Sequence, residues 1–245
     1  MLRSSSLFPL QHGDHACVFY RTEESLLEFL VPYVADGLHQ GELIFGAQKP
    51  QVAERLLSGL RAVGIDTEDA FYRGALQLHT PDDVYFSRQR FDLHGLVNRL
   101  LDTMDKSLQS GFTGLRTAGD LSWAPNSKWW PKVMEYEHRV QHVFAGRSVT
   151  GVCQYHMEPY PSDVVEAVSS AHGFHLPGSD TGFSHSRMLA RDQNYLVDYV
   201  ADPRPRRSDY HFVVHRRHSD EIVGWGAAPT FSDARTRCES LTRQH

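Results

Sequence analysis

The stretch Ala16-Cys-Val-Phe-Tyr20-Arg-Thr-Glu-Glu-Ser25-Leu-Leu-Glu-Phe-Leu30 decides the fold. Its first five residues are an apolar run, which predicts a short buried strand. Thr22 is a helix N-cap, and Glu23 and Glu24 fall in the first turn, where the helix dipole favours acids. Ser25 stands where a capping box usually has Glu. Leu26, Leu27, Leu30, Val34 and Leu38 then recur at helical spacing to about Gln40. A buried strand that feeds a helix almost at once is a βα unit.

The alternation repeats along the chain. Gly41–Gly46, Leu76–His79, Phe112–Ala118 and Ser148–Tyr155 read as further strands. Gln51–Val63, Phe91–Gln109, Pro131–Phe144 and Pro161–His172 read as helices, with Gly111 a C-terminal stop for the longest. The expected fold class is α/β, a mostly parallel sheet flanked by helices. The pattern weakens after Leu176. Pro177–Gly182 is turn-rich, and Pro203-Arg-Pro-Arg-Arg207 is a charged, proline-broken stretch. Tyr210–Val214, Glu221–Gly226 and Ser232–Thr242 suggest a ββα appendage. The expected division is therefore 1–176 as the main domain, 177–209 as linker and 210–245 as an appendage that docks on the main domain or on a partner.

Composition narrows the function classes. The chain has 245 residues, 40% hydrophobic and 22% charged, with a net charge of -5. That is ordinary for a soluble globular chain and lacks the basic footprint of a nucleic-acid binder. From Arg191 onward nine Arg face eight Asp or Glu, a net of only +1, so no direct DNA binding is expected. Cys17, Cys153 and Cys238 are too few and too far apart for a disulfide framework, and no C-x-x-C exists for a zinc ribbon. No apolar run approaches the roughly 18 residues of a membrane span, and no apolar core follows Met1. A cytoplasmic protein without signal peptide or membrane segment is expected.

Five motifs carry a resemblance. They are His12-Gly-Asp-His-Ala-Cys-Val-Phe-Tyr20, Gly41-Glu-Leu-Ile-Phe45, Gly114-Leu-Arg-Thr-Ala-Gly-Asp-Leu-Ser-Trp123, Tyr136-Glu137 and Val152-Cys-Gln-Tyr155. In this order, across about residues 8–176, they resemble the MEDS domain. This is the methanogen/methylotroph sensory domain, known from a dichloromethane-response repressor and from many bacterial signalling proteins. The resemblance implies a degenerate RecA/KaiC-like domain that senses a small organic ligand rather than catalysing a reaction. It also implies a role in signal transduction or transcription regulation, relayed to a protein partner or through a homodimer. The chain departs from the family at Gly119-Asp120, where a Gly-Glu pair is usual.

In an open α/β sheet, ligands bind outside the carboxyl ends of the strands. The residues leaving those ends are Tyr20, Arg21, Gln48, His79, Asp120, Trp123, Tyr155 and His156. They mix aromatic and polar groups and are the expected ligand-binding set. A RecA-type ATPase would have its glycine- and lysine-bearing phosphate loop after the first strand. Here that position reads Tyr20-Arg-Thr-Glu-Glu-Ser25, without glycine or lysine and with two acids. No catalytic residue is assigned. A nucleotide-binding protein of residual ATPase character remains an alternative.

Metal binding is a further alternative. His12-x-x-His15-x-Cys17 offers three ligand types, and a divalent-metal sensor built on His12, His15 and Cys17 is conceivable. His156 of Cys153-x-x-His156 leaves the opposite end of its strand, roughly 15 Å away, and would not join that set. Otherwise no cofactor is expected, Cys17 and Cys153 being core thiols and the two histidines bonding the loop that enters the strand. Trp123, Trp129 and Trp130 suit either a lid or a packed loop. Arg116 is expected buried against an acid such as Glu137, and Tyr136-Glu137 reads as a structural pair. His211, His215 and His218 suit a solvated hairpin. No G-x-S-x-G elbow supports acyl transfer.

Overall fold

β1 (His15–Tyr20) is buried at every residue, as befits a strand covered on both faces. The computed structural model describes residues 10–156, 162–172, 174–177, 185–189, 195–201, 210–216, 222–229 and 231–243. Thr22 caps α1 (Glu23–His39) in a reciprocal box whose second partner is Ser25. The chain continues through β2 (Leu43–Ala47), α2 (Pro50–Ala62), α3 (Thr67–Tyr72), β3 (Leu76–His79) and α4 (Pro81–Tyr85). A small hairpin follows, β4 (Phe86–Ser87) and β5 (Arg90–Phe91), then α5 (Leu93–Gln109) and β6 (Leu115–Asp120). α6 (Trp130–Phe144), β7 (Val149–His156) and α7 (Ser162–Ala171) complete the expected alternation.

Six strands run parallel in the order β3-β2-β6-β7-β1-β8, where β8 is Phe174–Pro177. The sheet continues antiparallel from β8 through β9 (His185–Leu189), β10 (Tyr195–Ala201), β11 (Tyr210–Arg216) and β12 (Ile222–Ala228). The stretch expected as linker thus holds β9 and β10. They join the expected appendage, β11 and β12 with α8 (Phe231–Thr242), to the main sheet. Residues 203–207 and His218, and the side chains of His211 and His215, lie outside the described residues. Among those described, no helix is long and apolar enough to cross a membrane.

Alternation along β1 separates the two faces. Ala16 and Val18 face one cluster with Leu26, Leu30 and Tyr33 of α1 and Leu56 and Leu60 of α2. Cys17 and Phe19 face another with Leu96 of α5 and Val133 of α6. Below it, Met104, Val140 and Phe144 pack against Leu115 and Val149.

Arg116 lies on the α1 side. Its Nη1 donates to the Tyr33 carbonyl at 2.9 Å and to Asp36 Oδ2 at 3.0 Å, and its Nε donates to Glu42 Oε2. The guanidinium sits 4.8 Å from the centre of the Tyr33 ring. Glu137 is therefore not its partner, as the sequence had suggested. Glu137 belongs to α6 on the opposite face of the sheet.

Candidate functional site

α5 starts at Asp92, whose carboxylate accepts the Gly95 amide, and α6 starts with Pro131 in its first turn. Both lay an apolar stripe on the sheet but do not fill the space beneath them. A cavity of about 350 Å³ remains. Its walls are Phe45 of β2, Leu96 and Leu100 of α5, Tyr136, Val140 and Phe144 of α6, and Tyr85 of α4. Thr117, Gly119, Val152 and Cys153 form the floor on β6 and β7. The exposed Asp83, Arg99, Asp102 and Lys106 also line it and mark its mouth. An apolar chamber with a few polar groups is the usual form of a small-molecule site.

The inner end of the cavity meets a buried polar cluster. Glu137, fully buried on α6, accepts the Tyr155 phenol at Oε1, 2.8 Å away. Its Oε2 lies 3.1 Å from His15 Nε2, 3.2 Å from His172 Nε2 and 3.4 Å from Cys153 Sγ. His15 Nε2 is also 3.3 Å from Cys153 Sγ. The His172 ring lies 4.2 Å from the His15 ring, and its Nδ1 donates to the Val168 carbonyl at 2.8 Å. His15 and Cys153 line both cluster and cavity.

These contacts set the charge states. Burial, reinforced by the neighbouring His172, pushes His15 down to about 4. Burial works to raise the Glu137 carboxyl, but the His172 charge and hydrogen bonding by His15 outweigh it and hold Glu137 below the usual carboxylate range. Burial and then the Glu137 charge push the Cys153 thiol and the Tyr155 phenol up.

The eight residues expected at the strand ends fall in separate places. His79 lines the cavity, its ring 4.9 Å from Phe45. Gln48, Asp120 and Trp123 meet at the ends of β2 and β6. There Gln48 Nε2 donates to the Ala118 carbonyl at 2.9 Å, and Trp123 Nε1 donates to the Asp120 carbonyl at 3.2 Å. Asp120 accepts the Ser122 amide at 2.9 Å and lies 3.7 Å from Lys49. Tyr20, Arg21 and His156 gather at the ends of β1 and β7, where His156 Nε2 lies 2.7 Å from the Arg21 carbonyl. Tyr155 turns into the cluster instead. Trp123 packs against Tyr85, Phe86 and Phe91, so its loop is packed in this structure.

The metal set suggested by the sequence does not assemble. His12 Nε2 lies 2.6 Å from Glu42 Oε1, on the Arg116 network. Cys17 is buried on the same strand face as His15, about 7 Å further along. His15 meets Glu137, Cys153 and His172 instead. The sequence missed this group because its members come from four elements with no shared spacing. Cys153 pairs in register with Cys17, so knowledge of strand order would have brought Cys153 near His15. At the start of α1, Arg55 pairs with Glu23 at 3.2 Å and Glu24 at 2.9 Å.

The methanogen/methylotroph, DcmR sensory domain family (MEDS) matches residues 14–173. The transcriptional repressor DcmR of Methylorubrum extorquens is 27% identical over 165 residues, 66% of this chain and 59% of the repressor. The chain therefore covers less than two thirds of that relative's length. Among solved structures, a KaiC-like protein of Pyrococcus horikoshii matches with a TM-score of 0.49 and 13% identity, over 89% of this chain and 90% of its own. A RadB recombinase matches with a TM-score of 0.46 and 10% identity, over 91% and 90%. The family match begins one residue before His15 and ends one residue after His172, so it encloses the whole buried cluster. By that match the chain belongs to the MEDS family of sensory domains.

Proposed function

We propose that this chain is a non-catalytic cytoplasmic sensing module. It takes a small, mostly apolar organic molecule into the cavity beneath α5 and α6. The carrying observation is the cavity itself, about 350 Å³ with aromatic and aliphatic walls and a charged mouth. Its size falls in the range of small-molecule sites. The signal passes to a partner regulator through the sheet extension β9–β12 or through a second copy of the chain. A net charge of -5 supports leaving DNA contact to that partner. The acids at the start of α1, already paired with Arg55, support a non-enzymatic role, since phosphate would meet negative charge there.

The test is ligand-induced stabilisation. Dichloromethane and toluene serve as probes, with ATP and magnesium as the comparison. A probe at about 100 times its Kd stabilises the fold by about 2.7 kcal/mol, which reads as several degrees in melting temperature. Leu100→Trp narrows the cavity and should reduce the shift, most for toluene. An equal shift in that variant, or a shift with ATP alone, would overturn the assignment.

A further inference from the structure

Four side chains from separate parts of the fold converge in the interior. His15 opens β1, Glu137 lies in α6, Cys153 in β7, and His172 directly follows α7. One donor atom from each lies within 4.8 Å of all the others, and all four residues are buried. A zinc ion bound tetrahedrally at 2.0–2.3 Å places its ligand atoms roughly 3.3–3.8 Å apart. Around Glu137 Oε2 the separations are 3.1, 3.2 and 3.4 Å, and His15 Nε2 to Cys153 Sγ is 3.3 Å. The separations of His172 Nε2 from the His15 and Cys153 donors lie within 4.8 Å, so movements of up to about 1 Å would place all four on one ion.

The surroundings hold two of the donors, Glu137 and His172, as metal ligands are held. Tyr155 donates to Glu137 Oε1, leaving Oε2 to face the group. His172 donates Nδ1 to the Val168 carbonyl, the usual outer bond that orients a ligating imidazole. With Nδ1 the donor, Nε2 faces the carboxylate either as a protonated cation or, once that proton is lost, as a lone pair free to ligate. That atom is buried, lies 3.2 Å from the Glu137 carboxylate and makes no aligned hydrogen bond. A metal cation that takes the place of the proton bonds to both atoms.

We propose that His15, Glu137, Cys153 and His172 form a closed tetrahedral site for a zinc-class divalent ion. Two neutral imidazoles, one carboxylate and one thiolate balance the two positive charges, so the filled site is neutral. Neutrality suits a position without water. The mixed nitrogen, oxygen and sulfur set favours zinc over magnesium or calcium, which prefer oxygen alone. His15 and Cys153 also line the cavity, so the ion forms part of its inner wall.

The experiment uses the full chain. Elemental analysis of purified protein should find close to one zinc per chain, or the chelator-stripped protein should bind one Zn²⁺ on titration. X-ray absorption on the zinc-loaded protein should show one sulfur and three nitrogen or oxygen neighbours, and needs no variant. Co²⁺ loading should give a thiolate-to-cobalt charge-transfer band that Cys153→Ser removes and Cys17→Ser retains. His172→Gln should weaken metal binding at least tenfold. Failure of the folded, stripped chain to bind zinc overturns the site, as does a shell without sulfur or a band that survives Cys153→Ser. The Leu100→Trp variant should still bind zinc, so the metal site and the ligand cavity stand or fall separately.

Discussion

His15 Nε2 lies 3.3 Å from Cys153 Sγ, although 138 residues of chain separate them. The contact places a histidine with its pKa pushed down to about 4 in the interior of the sensory domain. Such a base takes its proton first in the unfolded chain. Its stabilising contribution is complete above about pH 6.5 and is lost as pH falls toward 4. Glu137, held below the usual carboxylate range, contributes with the same sign, its stabilisation lost further into acid. The melting temperature of the chelator-stripped protein should therefore fall steadily between pH 6.5 and 4. A flat profile across that window would contradict the burial of neutral His15.

Arg116 is the hub of the opposite face. Substituting Arg116→Leu leaves Glu42 and Asp36 buried without their cation. Breaking a buried ion pair from one side costs about 3–5 kcal/mol. Urea unfolding should show a loss of that size, and a loss under about 1 kcal/mol would mean that water reaches the two carboxylates.

The β4–β5 hairpin turns through Arg88 and Gln89 at φ of 50° and 61°. Both residues are in the left-handed region, which a two-residue hairpin turn usually assigns to Asn-Gly. The double substitution Arg88→Asn and Gln89→Gly should stabilise the protein by about 1 kcal/mol. No gain in the urea midpoint would show that the strain is absorbed elsewhere.

Gly119 is set by its neighbour. A Cβ there would collide with the Tyr85 hydroxyl oxygen. Gly119→Ala should push the buried Tyr85 ring into the cavity and destabilise the fold by about 1–3 kcal/mol. The same variant should reduce the melting shift given by toluene. A stable variant with an unchanged shift would show that Tyr85 has room to move away from the cavity.

The alternating core of the fold was legible because β2 and most of β1 are apolar, β7 is bounded by turn residues, and α1, α5 and α6 carry regular stripes. Thr67–Tyr72 and Pro81–Tyr85 were not, since one turn or so of helix shows no period. Tyr195-Leu-Val-Asp-Tyr-Val-Ala201 has strand chemistry, but the turn-rich sequence before it and the prolines after it masked it as linker. Of the eight residues expected at the strand ends, His79 lines the cavity beneath α5 and α6, whose extent depends on packing rather than on motif. Arg116 was legible as buried, but its acids were not, because the side of the sheet it faces depends on register.

β1 and β8 lie side by side and parallel, Ala16 opposite Phe174 and Phe19 opposite Pro177. Tension applied between His15 and Pro177 enters β1 at its amino end and leaves β8 at its carboxyl end. These are opposite ends of the paired strands, so the ladder between them is loaded in shear. Its hydrogen bonds must yield together rather than peel apart one by one. The β1–β8 pair is consequently a clasp against tension drawn across the parallel part of the sheet.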